Sequence, residues 1–213
     1  LFPGCADELE FVERMGLDGI SARMPAQLGV TGDLPDRFTN QWGVVMAHTA
    51  EDYAPVDGPI KSAADLKTYS PPDPDNEENY EGLRETVSRF KGEKFIMWHA
   101  RAEFMTACEM RGMAEFLMDM VTDPDLVHAV LEVVNETYCR LAVRAIEEGA
   151  DGIMLGDDWA YNSGPFMSPD LFEEFILPYF QNMVRTCKEA GGYVVKHCDG
   201  YVWPLMDMVV DAG

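Results

Sequence analysis

Three short apolar runs in this chain each end on side chains that can do chemistry. Lys94 to His99 (KFIMWH) leads into Ala100 and Arg101, Gly152 to Leu155 into Gly156-Asp157-Asp158, and Tyr193 to His197 (YVVKH) into Cys198-Asp199-Gly200. Runs of this length and composition read as buried strands. In α/β folds the reacting groups gather at the carboxyl ends of such strands, so the pattern marks an enzyme.

Residues two apart on a strand share a face. His197 and Asp199 are therefore expected to look into one pocket, with Cys198 turned toward the helix layer as a small buried hydrophobe. Imidazole and carboxylate on one side make half of a zinc site; the plainer alternative is a His197–Asp199 hydrogen bond closing a turn. Asp157 and Asp158 are adjacent, so one of them is expected to reach the pocket, as a metal or substrate contact with acid–base capacity. Two carboxylates after a glycine are also the chemistry of a helix-capping turn. Trp159 and Tyr161 are expected to wall a pocket for a flat organic substrate, or simply to pack. His99 and Arg101 share a face by the same logic, and Arg101 suits a ligand carboxylate or phosphate unless Glu103 or Asp157 neutralises it. His48 and His128 read as surface residues, and Met110, Met113, Met118 and Met120 as core filler.

The elements that must position these groups follow a repeating grammar. Asp7 to Met15 reads as a short helix and Asp18 to Met24 as a strand, after which the N-terminal third is irregular. The run Ser70 to Asp75, with three prolines, forbids a helix and reads as a surface linker. Asn79 to Phe90 reads as a helix, followed by the first of the three strands and two further helices. The second of these opens on Asp123-Pro124 and carries an apolar stripe from Val127 to Ala145. After the Gly152 strand, Ser168-Pro169 opens another helix, which Pro178 should kink. Gly191-Gly192 ends that helix before the Tyr193 strand, and Val202 to Val210 begins one more. Strand and helix alternating at these spacings signal parallel β/α units. Periodicity does not choose between a doubly wound sheet and a barrel, although the lack of a GxGxxG after a strand weakens the dinucleotide-binding version.

The 213 residues carry 38 acidic and 16 basic side chains, a formal net charge of -22. A surface this negative repels phosphate backbones and argues against a nucleic-acid function. No window approaches ~18 consecutive apolar residues, so a membrane span is not expected, and the first ten residues lack the features of a secretory signal. Five scattered cysteines, an odd number without a CxxC pair, fit reduced thiols in a cytoplasmic protein.

The stretch from Gly156 to Tyr179, with a strand-end acidic turn before a G-x-x-x-S-P-x-x-F-x-x-F-x-x-P helix, resembles the uroporphyrinogen decarboxylase superfamily. Gly192-Tyr-Val-Val-Lys-His-Cys-Asp-Gly200 is similar to that family's next strand, which ends in H-x-C-G or H-x-D-G. Gln41-Trp-Gly-Val44, Pro71 to Pro74 and Gly112 to Pro124 match its looser pattern. The resemblance implies a TIM (β/α)8 barrel. With about four strands read here against eight, the chain is expected to be a single domain over residues 1–213 holding part of that barrel, truncated at both ends. The exposed strand edges of such a piece call for another chain, a second copy among the candidates.

The superfamily holds two chemistries. Cofactor-free decarboxylation of uroporphyrinogen uses R-Q-A-G-R and F-S-D-I-L motifs; neither is present, and the second gives way to DGISARMPAQL over Asp18 to Leu28. Corrinoid-linked methyl transfer uses zinc held by the His and Cys of H-x-C plus a further ligand. His197 matches that histidine, and Asp199 stands at the cysteine position. A carboxylate there leaves the metal more Lewis acidic and suits activation of an ether oxygen, with a third ligand expected from Asp157, Asp158 or C-terminal strands outside this chain. The resemblance thus implies zinc-dependent methyl transfer from a small methylated substrate to a partner corrinoid protein, the demethylase component of such a system. In that reading Asp157, Asp158 and His197 are catalytic, His197 and Asp199 bind zinc, and His99, Arg101, Trp159 and Tyr161 bind substrate. The alternatives are a decarboxylase of a polycarboxylate or tetrapyrrole with Arg101 as carboxylate clamp, and a corrinoid- or tetrapyrrole-binding module without activity.

Overall fold

The computed structural model describes residues 4–26, 35–50 and 52–213. Helix α1 (Glu8–Met15) starts where the Asp7 carboxylate accepts the Glu10 N–H at 2.7 Å, and it leads into strand β1 (Gly19–Arg23). The region expected to be irregular then holds a three-stranded antiparallel sheet, β2 (Arg37–Thr39), β3 (Val45–His48) and β4 (Tyr53–Asp57), in that order. Its first turn is closed by Asn40, whose side-chain oxygen accepts from the amides of Trp42 and Val44. Gln41 Nε2 donates to the Pro25 carbonyl at 2.7 Å, tying this sheet to the end of β1. Pro55 is tolerated because β4 lies at the sheet edge.

Helix α2 (Ala63–Leu66) precedes the proline run. That run has no regular structure, as expected, but it is pinned rather than loose: Pro72 and Pro74 are buried, Tyr80 Oη donates to the Pro74 carbonyl at 2.7 Å, and Asn79 Nδ2 to that of Asp73 at 2.9 Å. A 3-10 turn and α3 (Glu81–Phe90) follow, then β5 (Phe95–Ala100). Three helices come next where the sequence predicted two: α4 (Glu103–Arg111), α5 (Met113–Thr122) and α6 (Pro124–Glu147). Gly112, at φ 98, divides the first two. Helix α6 starts as predicted, with the Asp123 side chain accepting from Leu126 N at 3.3 Å. Met110 and Met120 are buried, but Met118 is 62% exposed and does not fill the core.

Strand β6 (Gly152–Gly156) runs into a two-stranded ribbon, β7 (Ala160–Tyr161) and β8 (Gly164–Pro165). The helix after it is not continuous. α7 (Pro169–Leu171), capped by Ser168, passes into a π turn over Phe172–Ile176 and then into α8 (Leu177–Glu189). The distortion expected from Pro178 takes this form, a widened turn just before a residue that has no N–H to give. Strand β9 (Tyr193–His197), a 3-10 turn and α9 (Met206–Asp211) complete the described chain.

Strands β1, β5, β6 and β9 form one parallel sheet in the order β1-β5-β6-β9. The sheet does not close on itself among the described residues. One face packs under the helices and is apolar over β1, β5 and β6: Ile20, Ala22, Ile96, Trp98, Ala100, Ile153 and Leu155 are all buried there. Alternation sends Arg23, His99 and His197 to the other face. Its β9 stretch is open, with Tyr193 69% exposed and Val195 40% exposed. All five cysteines are free thiols. Among the described residues no helix is long and apolar enough to cross a membrane.

Candidate active site at the strand ends

The carboxyl ends of the four parallel strands converge on a cavity of about 530 Å³. Each strand sends its last inward-facing group into the lining: Arg23 from β1, His99 and Arg101 from β5, Asp158 from just beyond β6, and His197 from β9. The antiparallel sheet covers the opposite side with Phe38, Asn40, Gln41, Trp42 and Tyr53, and Thr106, Glu109 and Tyr138 of α4 and α6 complete the wall.

Asp158, His197 and Asp199 come together. Each offers one ligand atom, and these atoms lie within 4.8 Å of one another. His197 Nε2 stands 3.8 Å from Asp158 Oδ1 and 3.6 Å from Asp199 Oδ1. A tetrahedral zinc held at ~2.0–2.1 Å by nitrogen and oxygen needs donors about 3.4 Å apart; the two distances from His197 exceed this by a few tenths of an ångström, and the donor chemistry suits the ion once the carboxylates draw in around it. Asp199 is the outermost of the three, 80% exposed at its side chain, and lies outside the cavity lining that His197 and Asp158 share. Its amide donates to Asp158 Oδ1 at 2.7 Å, which binds the two strand-end loops together. Gly200 follows in the left-handed region at φ 83, and a Cβ there would lie 2.7 Å from the backbone of Ala160. A glycine is therefore required where this loop turns against β7.

Asp157 does something else. It is fully buried on the helix side of the sheet, where its carboxylate accepts from the amides of Phe104 (3.1 Å) and Met105 (2.7 Å) at the start of α4 and from Trp159 Nε1 (2.8 Å). Of the two readings open for the acidic pair, Asp157 takes the capping role and Asp158 the cavity. Burial raises the Asp157 pKa, against the lowering effect of Lys196 and the three N–H donors.

The two aromatic residues expected to line the pocket do not line it. The Trp159 indole is buried, edge-on to Phe172 and Phe180 under the π turn. Tyr161 is half-exposed on β7 against Phe166. The cavity's aromatic surface comes instead from Phe38 and Tyr53, in edge contact at 5.2 Å, and from Trp42 tilted on Tyr138 at 4.9 Å.

Arg101 faces the cavity and pairs with Glu109 at 2.8 Å, not with Glu103 or Asp157. Glu109 is buried on α4, and burial raises its pKa while Arg101 opposes that rise. His99 is half-buried, and desolvation, assisted by Arg23, His197 and Arg101, lowers its pKa. Its Nε2 occupies the space a Cβ on Gly156 would need, 2.4 Å away. Cys198 is half-buried, its sulfur accepting the Trp159 amide at 3.2 Å. His128 is no simple surface residue; its ring stacks on Phe175 and its Nδ1 meets Tyr179 Oη at 3.1 Å. His48 is exposed, as expected.

Besides the aromatic wall, two charged cavity residues escaped the sequence reading for different reasons. Arg23 obeys the same strand-end rule as the others, but the strand was expected to run on to Met24, which left Arg23 inside it and not at its end. Glu109 lies in the middle of an apolar helical run and gives no local signal.

A parallel α/β sheet with its polar groups gathered at the strand carboxyl ends defines an enzyme-like site. Residues 40–213 match the family model described as uroporphyrinogen decarboxylase (URO-D), and the chain belongs to that family. It is 28% identical over 138 residues to uroporphyrinogen decarboxylase of Chlorobium chlorochromatii (strain CaD3), covering 61% of this chain and 38% of that protein. It is 27% identical over 145 residues to the Myxococcus xanthus (strain DK1622) enzyme of the same name, covering 64% and 40%. The chain thus spans about two fifths of these relatives. Among solved structures, a methyltransferase from Methanosarcina mazei superposes with a TM-score of 0.75 at 19% identity, covering 95% of this chain and 57% of that one. The likeness carries the fold alone, and it makes the four parallel strands part of a TIM barrel.

Proposed function

We propose that this protein transfers a methyl group from a small methylated substrate to a partner corrinoid protein, using zinc held by His197, Asp158 and Asp199. The observation that supports this reading is the approach of one imidazole and two carboxylates at adjacent strand ends, beside a cavity large enough for a small organic molecule. Zinc bound by such a set supplies Lewis acidity toward the heteroatom that carries the methyl group. Asp158 and His197 face the cavity and orient that heteroatom, the aromatic wall of Phe38, Tyr53, Trp42 and Tyr138 excludes water, and His99, whose pKa burial lowers, is available to give or take a hydrogen bond. The fully buried Asp157 has no part in the chemistry.

A second reading, decarboxylation of a polycarboxylate, is favoured by one observation: Arg23, Arg101 and His99 cluster at the cavity of an otherwise acidic protein. The two readings part on a simple assay. Full-length protein is incubated with candidate methyl donors and a corrinoid acceptor, and separately with uroporphyrinogen. Methylation of the corrinoid that His197→Ala abolishes supports the first. Release of carbon dioxide that His197→Ala leaves intact and Arg101→Ala removes would overturn it in favour of the second.

A further inference from the structure

The ends of β6 and β9 carry two pairs of residues on opposite faces. Asp158 and His197 stand on the cavity side. One residue back on each strand, on the helix side, stand Asp157 and Lys196. Lys196 is half-buried, on a face of the sheet whose other strands place apolar groups there. Its Nζ lies 3.8 Å from the centre of the Trp159 ring. It donates to the main-chain carbonyl of Asp157 at 2.5 Å and to that of His197. An ammonium in such a place has given up part of its water, and two of its three donors are spent on main-chain oxygens at two different strand ends.

Those two carbonyls belong to His197 itself and to the residue directly before Asp158. We propose that Lys196 is the positioning residue of the cation site: its ammonium ties the β6 end to the β9 end from behind and so sets the separation at which Asp158 and His197 face each other. Two main-chain links on this level are longer, Asp157 N to the His197 carbonyl at 3.3 Å and Trp159 N to the Cys198 sulfur at 3.2 Å, while the 2.7 Å bond from the Asp199 amide to Asp158 Oδ1 joins the loops one step further out, on the cavity side. Ladder pairing ends at Gly156 and His197, two residues before Asp158, so the tie acts where the sheet no longer does. The Trp159 face holds the ammonium in place by cation–π attraction, which gives the buried indole a purpose its position outside the cavity left open. Ligand-orienting groups of this kind change metal affinity by ~10–100-fold when removed.

The purpose of the tie rests on the zinc reading above, but its geometry does not, and two measurements separate them. Full-length protein is compared with Lys196→Met, which keeps the stem and removes the charge, and with Lys196→Arg, which restores donors. In metal-free protein, amide hydrogen exchange is followed over residues 156–159 and 197–200, with residues 95–100 of β5 as an internal control. Lys196→Met is expected to exchange at least ~10-fold faster at the two strand ends only, with Lys196→Arg recovering most of the protection. Unchanged exchange in Lys196→Met overturns the proposal. Cobalt(II) binding, read from its visible absorption, is expected to weaken at least ~10-fold in Lys196→Met. Wild-type protein that takes no cobalt sinks the zinc reading and leaves the exchange result to decide on Lys196. Wild-type protein that binds cobalt no more tightly than Lys196→Met overturns the positioning role and leaves the zinc reading standing. Should Lys196→Met fail to fold, Lys196→Gln is measured under the same criteria.

Discussion

Asp157 and Asp158 are neighbours in the chain and serve opposite sides of the sheet: the first is sealed under the helices with three N–H groups on its carboxylate, the second opens on the cavity facing His197. Their substitutions should therefore separate stability from function. Asp157→Ala strands two amides of α4 and an indole N–H, and should cost about 2–4 kcal/mol in denaturant unfolding. Asp158→Ala should change stability by less than ~1 kcal/mol while removing metal binding. Equal stability losses in the two variants would contradict the division of labour.

Glu103 predicts a pH dependence. It is fully buried, its carboxylate accepting from Asn135 Nδ2 at 2.7 Å, and burial, with the charge of Asp157 adding to it, pushes its pKa up to about 7. An unfolded glutamate releases its proton near ~4.3, so between there and about 7 the native state holds a proton that the unfolded state has lost. Stability should fall as pH rises through that window and level off above it, by roughly 3–4 kcal/mol. Unfolding free energies measured from pH 4.5 to 8 should show this slope in wild type and a flatter one in Glu103→Gln. An identical slope in both would assign the effect to other groups.

Ala102 links β5 to α4 with φ 71 and ψ -168, a backbone region that glycine alone occupies readily. Its methyl is buried. Ala102→Gly trades strain relief against lost burial and chain entropy and should be neutral within ~1 kcal/mol. Ala102→Val adds a β-branch to a forbidden conformation and should cost ~3 kcal/mol or more. Thermal unfolding of the two variants checks this, and a tolerated valine would mean the backbone relaxes.

Gly156 leaves room for the His99 ring. Gly156→Ala should drive that ring toward the cavity, lowering turnover at least ~10-fold at a stability cost of about 1–2 kcal/mol. Turnover that survives the alanine would show that His99 has no fixed place in the reaction.

How much of this was legible in the sequence depended on which face each element hides. The strands at Phe95, Gly152 and Tyr193 were readable because one face lies under helices and the runs end at groups that cannot be buried freely. The antiparallel sheet was not, since strands of three to five residues with outward polar groups and an internal Pro55 look like loop. At the site, alternation along a strand foretold that one of Asp157 and Asp158 would reach the cavity; choosing which required knowing where α4 begins. Trp159 was misplaced for a related reason. Its indole follows Asp157, two residues back, to the helix side, and only its packing against Phe172, Phe180 and Lys196 reveals this.

Metal content tests the central claim most directly. Full-length wild-type protein and His197→Ala, purified side by side without added metal, are analysed by mass spectrometry. About one zinc per chain in the wild type, lost in the variant, is the expected result. Absence of zinc from the wild type, also after incubation with zinc and buffer exchange, or zinc retained in full by His197→Ala, would contradict the account.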